Sequence, residues 1–113
     1  MIITRHWKEV PPRENSHKVD ARDLYRDDNA LIVHLLIKAG EKLLPHKTPV
    51  DVAFYVLEGR GIVFIGEEKK EVEQGTMIES PKDITHFWYN ESKKDLRILV
   101  IKVPNPKSNP KII

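Results

Sequence analysis

The sequence predicts an all-β domain, a two-sheet sandwich or a closed barrel, from three observations. Short β-branched and aromatic runs recur along the chain, separated by Gly, Pro, Asn or Asp. No long stretch repeats apolar residues at helical spacing. A chain of 113 residues holds one core, and many short strands around one core need their edges paired or covered, which a sandwich or barrel does.

The elements follow in order. Ile2–Lys8 reads as a strand, ended by Pro11-Pro12, and the next runs over Val19–Leu24. Asp27-Asp28-Asn29 is a turn, because short polar side chains hydrogen-bond their own backbone. Ala30–Lys38 and Leu96–Val103 are apolar at nearly every position, so both of their faces should be covered. Between them lie Val50–Glu58, Ile62–Ile65, Lys70–Glu73, Thr76–Glu79 and Ile84–Tyr89. Gly59-Arg60-Gly61, Gly66-Glu67-Glu68 and Gln74-Gly75 supply tight turns that read as consecutive hairpins. The segment Pro104 to Pro110 has little to bury and lacks donors at its prolines, so it reads as an extended surface tail. Three regions result: residues 1–29 packing on the barrel or on a partner subunit, the barrel itself over 30–103, and a Pro-rich tail over 104–113.

Composition removes several function classes. Lys and Arg total 19 against 17 Asp and Glu, and the basic residues are scattered among acids, so nucleic acid is not expected as a partner. The longest apolar stretch, Ala30–Ile37, is broken by His34 and far shorter than the ~20 residues of a membrane helix. No secretory signal is visible, so a cytoplasmic location is expected. With no cysteine there is no thiol nucleophile, disulfide or Cys-based zinc site. Abundant Lys and Glu fit a heat-adapted protein.

Two gapped motifs then stand in register. Gly40, His46-Lys47-Thr48, Val52 and Gly59 form the first; Gly75, Pro81, Asp83, His86 and Asn90 form the second. Their spacing resembles the two motifs of the cupin superfamily: Gly, His-x-His, Glu, Gly, followed by Gly, Pro-x-Gly, His, Asn. The likeness covers about Ala30 to Val103 and implies a double-stranded β-helix, the jelly-roll barrel of small single-domain cupins. In that family the motif histidines and Glu point inward and bind a divalent metal. Here His46 and His86 occupy two ligand positions, while Thr48 and Val52 stand where the family has its second His and its Glu.

The resemblance therefore implies a reduced metal site of His46 and His86 for Zn, Fe, Ni, Mn or Cu, with His34 as candidate third ligand. Asp51 is a weaker candidate, since it should point away from Val52's face. Period-two alternation turns Val52, Phe54 and Val56 inward on one strand and His86 and Trp88 on another, and with Thr48 these line the pocket. The plainer alternatives are a core role for His34, barrel filling for Phe54 and Trp88, and surface exposure for His6 and His17.

Two functions remain open. A metal on the His pair would polarise a carbonyl or activate dioxygen or water on a small substrate, as the resemblance implies for an isomerase or dioxygenase. Without metal, the barrel is a binding module for a small molecule. A homodimer is also expected, with Ile2–Trp7 crossing to the partner or pairing within its own sheet.

Overall fold

The computed structural model describes residues 1–107, which form nine antiparallel strands in two sheets. These are β1 (Asp20–Arg26), β2 (Leu31–Ile37), β3 (Lys42–His46), β4 (Asp51–Glu58), β5 (Arg60–Ile65), β6 (Glu68–Glu73), β7 (Met77–Ser80), β8 (His86–Tyr89) and β9 (Leu96–Val103). One sheet has the order β1-β2-β9-β4-β7 and the other β3-β8-β5-β6. Residues 108–113, which include the end of the expected tail, lie outside the described residues.

Strict alternation builds the core. On the larger sheet Val33 pairs with Val100 and Val100 with Phe54; one step along, Leu35, Ile98 and Val56 make the next row. All six are buried, and from the other sheet Leu43, Val63, Val72 and Trp88 join the same cluster. The row nearest the end of the sheet runs Leu31, Lys102, Val52, Ser80, so a lysine faces inward where the pattern calls for an apolar residue.

Of the expected hairpins, Gly66 closes a true one between β5 and β6, which pair from Arg60↔Glu73 to Ile65↔Glu68. Gly59 and Gly75 instead carry the chain from one sheet to the other, so β4 pairs with β9 and β7 and not with β5. At Gly59 the backbone has φ +87°, and a Cβ would stand 2.3 Å from the Asp95 carbonyl oxygen. Only glycine passes there without displacing backbone.

The expected strand Ile2–Lys8 is not formed. A short 3-10 turn, Trp7–Glu9, takes its place, and its carbonyls explain why. The Arg22 guanidinium, held by Asp20 at 2.8 and 3.0 Å, donates from Nη1 to the carbonyls of Trp7, Lys8 and Val10. Those acceptors are consumed by a side chain, and Trp7 folds onto its own sheet. Met1, Ile2 and Ile3 remain exposed.

One strand escapes the sequence pattern. β3, which was not among the expected strands, contains Pro45 and lies at a sheet edge, where a missing N–H costs no ladder bond. It also carries the first motif's histidine.

Candidate functional site

β3 and β8 pair with His46 directly opposite His86. The imidazoles meet edge to face, centroids 4.6 Å apart and planes at 88°, with their Nε2 atoms 3.2 Å apart. His86 is buried, whereas His46 is half-buried and leads to solvent. Other motif residues shape the loops around them. Asp83, where the family has a glycine, adopts φ +62°, a conformation Asp tolerates better than most residues. Asn90 donates from Nδ2 to the carbonyls of Ile37 and Lys94 and accepts from the Ser92 N–H, tying the end of β8 to β2.

Hydrogen bonding fixes the tautomers. The Leu44 carbonyl can only accept, so the His46 Nδ1 3.0 Å away carries the proton, and the His46 Nε2 lone pair faces His86. His86 Nδ1 lies 2.7 Å from Ser80 Oγ, and a hydroxyl serves as donor or acceptor there. Because the His46 Nε2 lone pair faces it at 3.2 Å, His86 Nε2 carries the proton, and its Nδ1 accepts from the Ser80 hydroxyl. Thr48 Oγ1 lies 3.5 Å from its Nε2. Burial pushes the His86 pKa down to about 3, with His46, Lys102 and His17 adding to the effect, so the ring is neutral at pH 7.

A third imidazole joins this pair. His17, expected on the surface, is buried and packs 4.7 Å from His46, centroid to centroid. Asn15 organises the loop: its Oδ1 accepts the N–H groups of His17 and Val19 while its Nδ2 donates to the Val19 carbonyl. The Leu44 N–H donates to His17 Nδ1 at 2.9 Å, so the ring proton sits on Nε2. That Nε2–H is buried and has no partner among the described residues. Leu44 therefore orients both rings, the carbonyl holding His46 and the N–H holding His17. Burial, then the neighbouring His46 and Lys102, lower the His17 pKa to about 4. A signal for His17 existed in the Asn15 side chain, which favours this kind of local turn, but nothing in the sequence said what the loop lies against.

The expected pocket residues Thr48, Val52, Phe54, Val56 and Trp88 are all buried. Phe54 meets His86 and Trp88 edge to face at 5.1 and 5.5 Å. Lys102, buried beside Val52, was not anticipated as part of this wall; β9 read as apolar at nearly every position.

His34 is not brought to the pair. In β2 it alternates with the inward residues Val33 and Leu35, so it lies on the outer face of the sheet. There it stacks on Trp7 and accepts a hydrogen bond from Arg97 Nε at 3.0 Å. The candidate third ligand is thus corrected by strand parity. Asp51 is exposed and accepts the Lys82 N–H.

The site fits part of a metal's requirements. Tetrahedral zinc with bonds of about 2.0–2.1 Å sets two ligand nitrogens roughly 3.3 Å apart, close to the 3.2 Å between the two Nε2 atoms. The Nδ1–H bond from His46 to a carbonyl is how ligating histidines are commonly oriented. His17 presents a proton, not a lone pair. Among the described residues no three His, Asp or Glu side chains form a group able to hold a metal ion.

Comparison with known proteins agrees with this architecture. A family model described as the cupin domain matches residues 33–102. The chain is 31% identical over 84 residues to the uncharacterized protein MJ1618 of Methanocaldococcus jannaschii, covering 73% of this chain and just under two thirds, 66%, of that protein. The crystal structure of TT1209 from Thermus thermophilus superposes with a TM-score of 0.77 at 25% identity, over 90% of this chain and 97% of that one. The polyketide cyclase RemF from Streptomyces resistomycificus gives a TM-score of 0.81 at 21% identity, over 95% and 82%, a likeness of fold alone. With the match running over most of the length and both motifs placed on the strands and turns just described, this chain belongs to the cupin family.

Proposed function

We propose that this cupin binds a small molecule in the mouth of its barrel, with His46 and His86 as the polar anchor. The observation that carries this is the 3.2 Å approach of the two Nε2 atoms beside the apolar side chains of Val52, Phe54, Val56 and Trp88, with Lys102 buried next to Val52. Few polar groups in an apolar concavity are the usual means of orienting a small ligand. When a ligand comes between the rings, the Ser80 hydroxyl can turn to accept from His86 Nδ1 and free the Nε2 lone pair, since a hydroxyl serves either role.

The separation of the two nitrogens also favours a second reading, in which His46 and His86 hold a divalent transition metal such as Zn, Fe, Ni, Mn or Cu. Such an ion supplies Lewis acidity towards a carbonyl or water. Two neutral ligands with no carboxylate hold a dication loosely, and the charge on Lys102 opposes it further. Metal analysis of protein purified without added metal or a histidine tag separates the readings. Metal lost in His86→Ala supports the second. A metal-free barrel whose imidazole 15N signals respond to small molecules supports the first, and rings that respond to neither metals nor small molecules refute both.

We infer that the working unit is a homodimer. Tyr55, Met77 and Val103 are exposed on the outer face of the larger sheet, beside a cleft of about 410 Å³ lined by Ala53, Pro81 and Ile101. The exposed Met1–Ile3 segment is available to a second copy. Sedimentation should give about twice the 13.1 kDa chain mass; a monomer at high concentration would exclude the dimer.

A further inference from the structure

One inward residue is unexplained by the proposed site. Lys102 is 1% exposed, yet it has no hydrogen bond or ion pair among the described residues. Its row places it between Leu31 and Val52, with Ser80 one strand further on and the Ser80 hydroxyl on His86. Two strand spacings, about 10 Å, thus separate its backbone from that of Ser80, the residue holding His86. Its charge bears on both His17 and His86.

The surrounding charges leave it uncompensated. The carboxylate that bears on Lys102 is Asp23, which already accepts from Arg13 Nε and from Arg26 Nη2, each at 2.8 Å. Two guanidinium groups and one ammonium share one carboxylate, and Val52 stands where the family's Glu would have faced Lys102 across the strand pair. A buried cation without a partner is costly. A second donor lies within reach of its charge and has no partner among the described residues, the buried Nε2–H of His17. An interior with spare donors, an excess of positive charge and no carboxylate in its wall complements an anionic acceptor.

Resting on the reading that the His46–His86 mouth binds a small molecule, we infer that its ligand class is the small carboxylates, with the carboxylate taken by the Lys102 ammonium and the His17 N–H. Two donors suit the two oxygens of the group, and a charge-assisted bond is the stronger kind. The His pair then meets the remainder of the ligand.

The test compares acetate, pyruvate and benzoate with their amides, read by imidazole 15N shifts in metal-free protein. At least one acid should bind ten-fold or more tightly than its amide. Lys102→Met, which keeps the stem and removes the charge, should abolish that preference while amide binding persists; His17→Phe should weaken acid binding several-fold. His86→Ala should weaken acid and amide alike, which separates loss of the His anchor from loss of carboxylate recognition. Thermal unfolding of each variant confirms that it is folded. Amides binding as tightly as acids, or a preference that survives Lys102→Met, overturns the inference and leaves the His anchor standing. If neither class binds native protein, the carboxylate assignment falls.

Discussion

Trp7 lies flat against His34, ring centroids 4.3 Å apart and planes within 12°. Arg97 and Arg22 sit over the same indole at 4.9 and 5.3 Å. An aromatic contact contributes about 0.5–1.5 kcal/mol and a surface cation–π pair about 0.5–1 kcal/mol. Trp7→Ala should therefore cost about 2 kcal/mol in chemical denaturation. Trp7→Phe should retain a substantial part of that, and an unchanged denaturation midpoint in Trp7→Ala would show the stack to be idle.

Ser80 is the partner of His86 Nδ1 at 2.7 Å in a fully buried setting. Ser80→Ala leaves that nitrogen unsatisfied, at a cost of about 1–3 kcal/mol. Imidazole 15N spectra should show a changed Nδ1 shift at His86, which loses its donor, and little change at His46, whose Nδ1 stays on the Leu44 carbonyl.

Acid sensitivity follows from three buried imidazoles. His17 and His34 are lowered to about 4 and His86 to about 3, in each case chiefly by burial. The unfolded chain, titrating near 6.5, binds more protons than the native state below that value, so this stabilisation is complete above pH 6.5 and is lost as pH falls towards 4 and 3. Equilibrium unfolding of metal-free protein should weaken steeply over that window. His34→Gln should remove up to one proton from the slope; a flat profile between pH 6.5 and 4 would contradict the burial of these rings.

Lys102 has the same sign at the alkaline end. Burial is the largest cause lowering it from 10.5 to about 8; Arg13 and Arg26 lower it too, while Asp23 raises it. Stability should rise as pH increases from 8 to 10.5, where the unfolded chain still binds a proton that the native state has released. At about 1.4 kcal/mol per unit, Lys102→Met should be more stable than native protein at pH 7, on the order of 3 kcal/mol. Equal or lower stability would mean the ammonium is well solvated or paired.

Val52 and Lys102 are cross-strand partners, which gives the restored family set an added consequence. Val52→Glu should pair with Lys102 as well as supply a carboxylate, and Thr48→His with Val52→Glu should hold Zn more tightly than native protein through a competing chelator. Restoration that leaves zinc binding unchanged would mean that the barrel mouth no longer forms a metal site.

Most of the strands and the positions of the glycine turns were legible in the residues, though not which turns close hairpins, and the meeting of His46 with His86 was implied by the resemblance to the cupin motifs. Alternation in segments such as Asp51–Glu58 states which side chains are buried together, whereas the meeting of the two histidine-bearing strands follows only from the likeness of the two gapped motifs to those of the cupins. Alternation is silent where a run is apolar on both faces, so the side taken by His34 in β2 was decided by its pairing with β1 and β9. The edge position of β3 made Pro45 harmless, and the capture of the Trp7, Lys8 and Val10 carbonyls by Arg22 cancelled a strand that local pattern supported. His17 and Lys102 entered the site for the same reason. Each sits among polar or apolar neighbours that predict the opposite environment, and only long-range packing, by a loop laid against β3 and a row running across four strands, set what surrounds them.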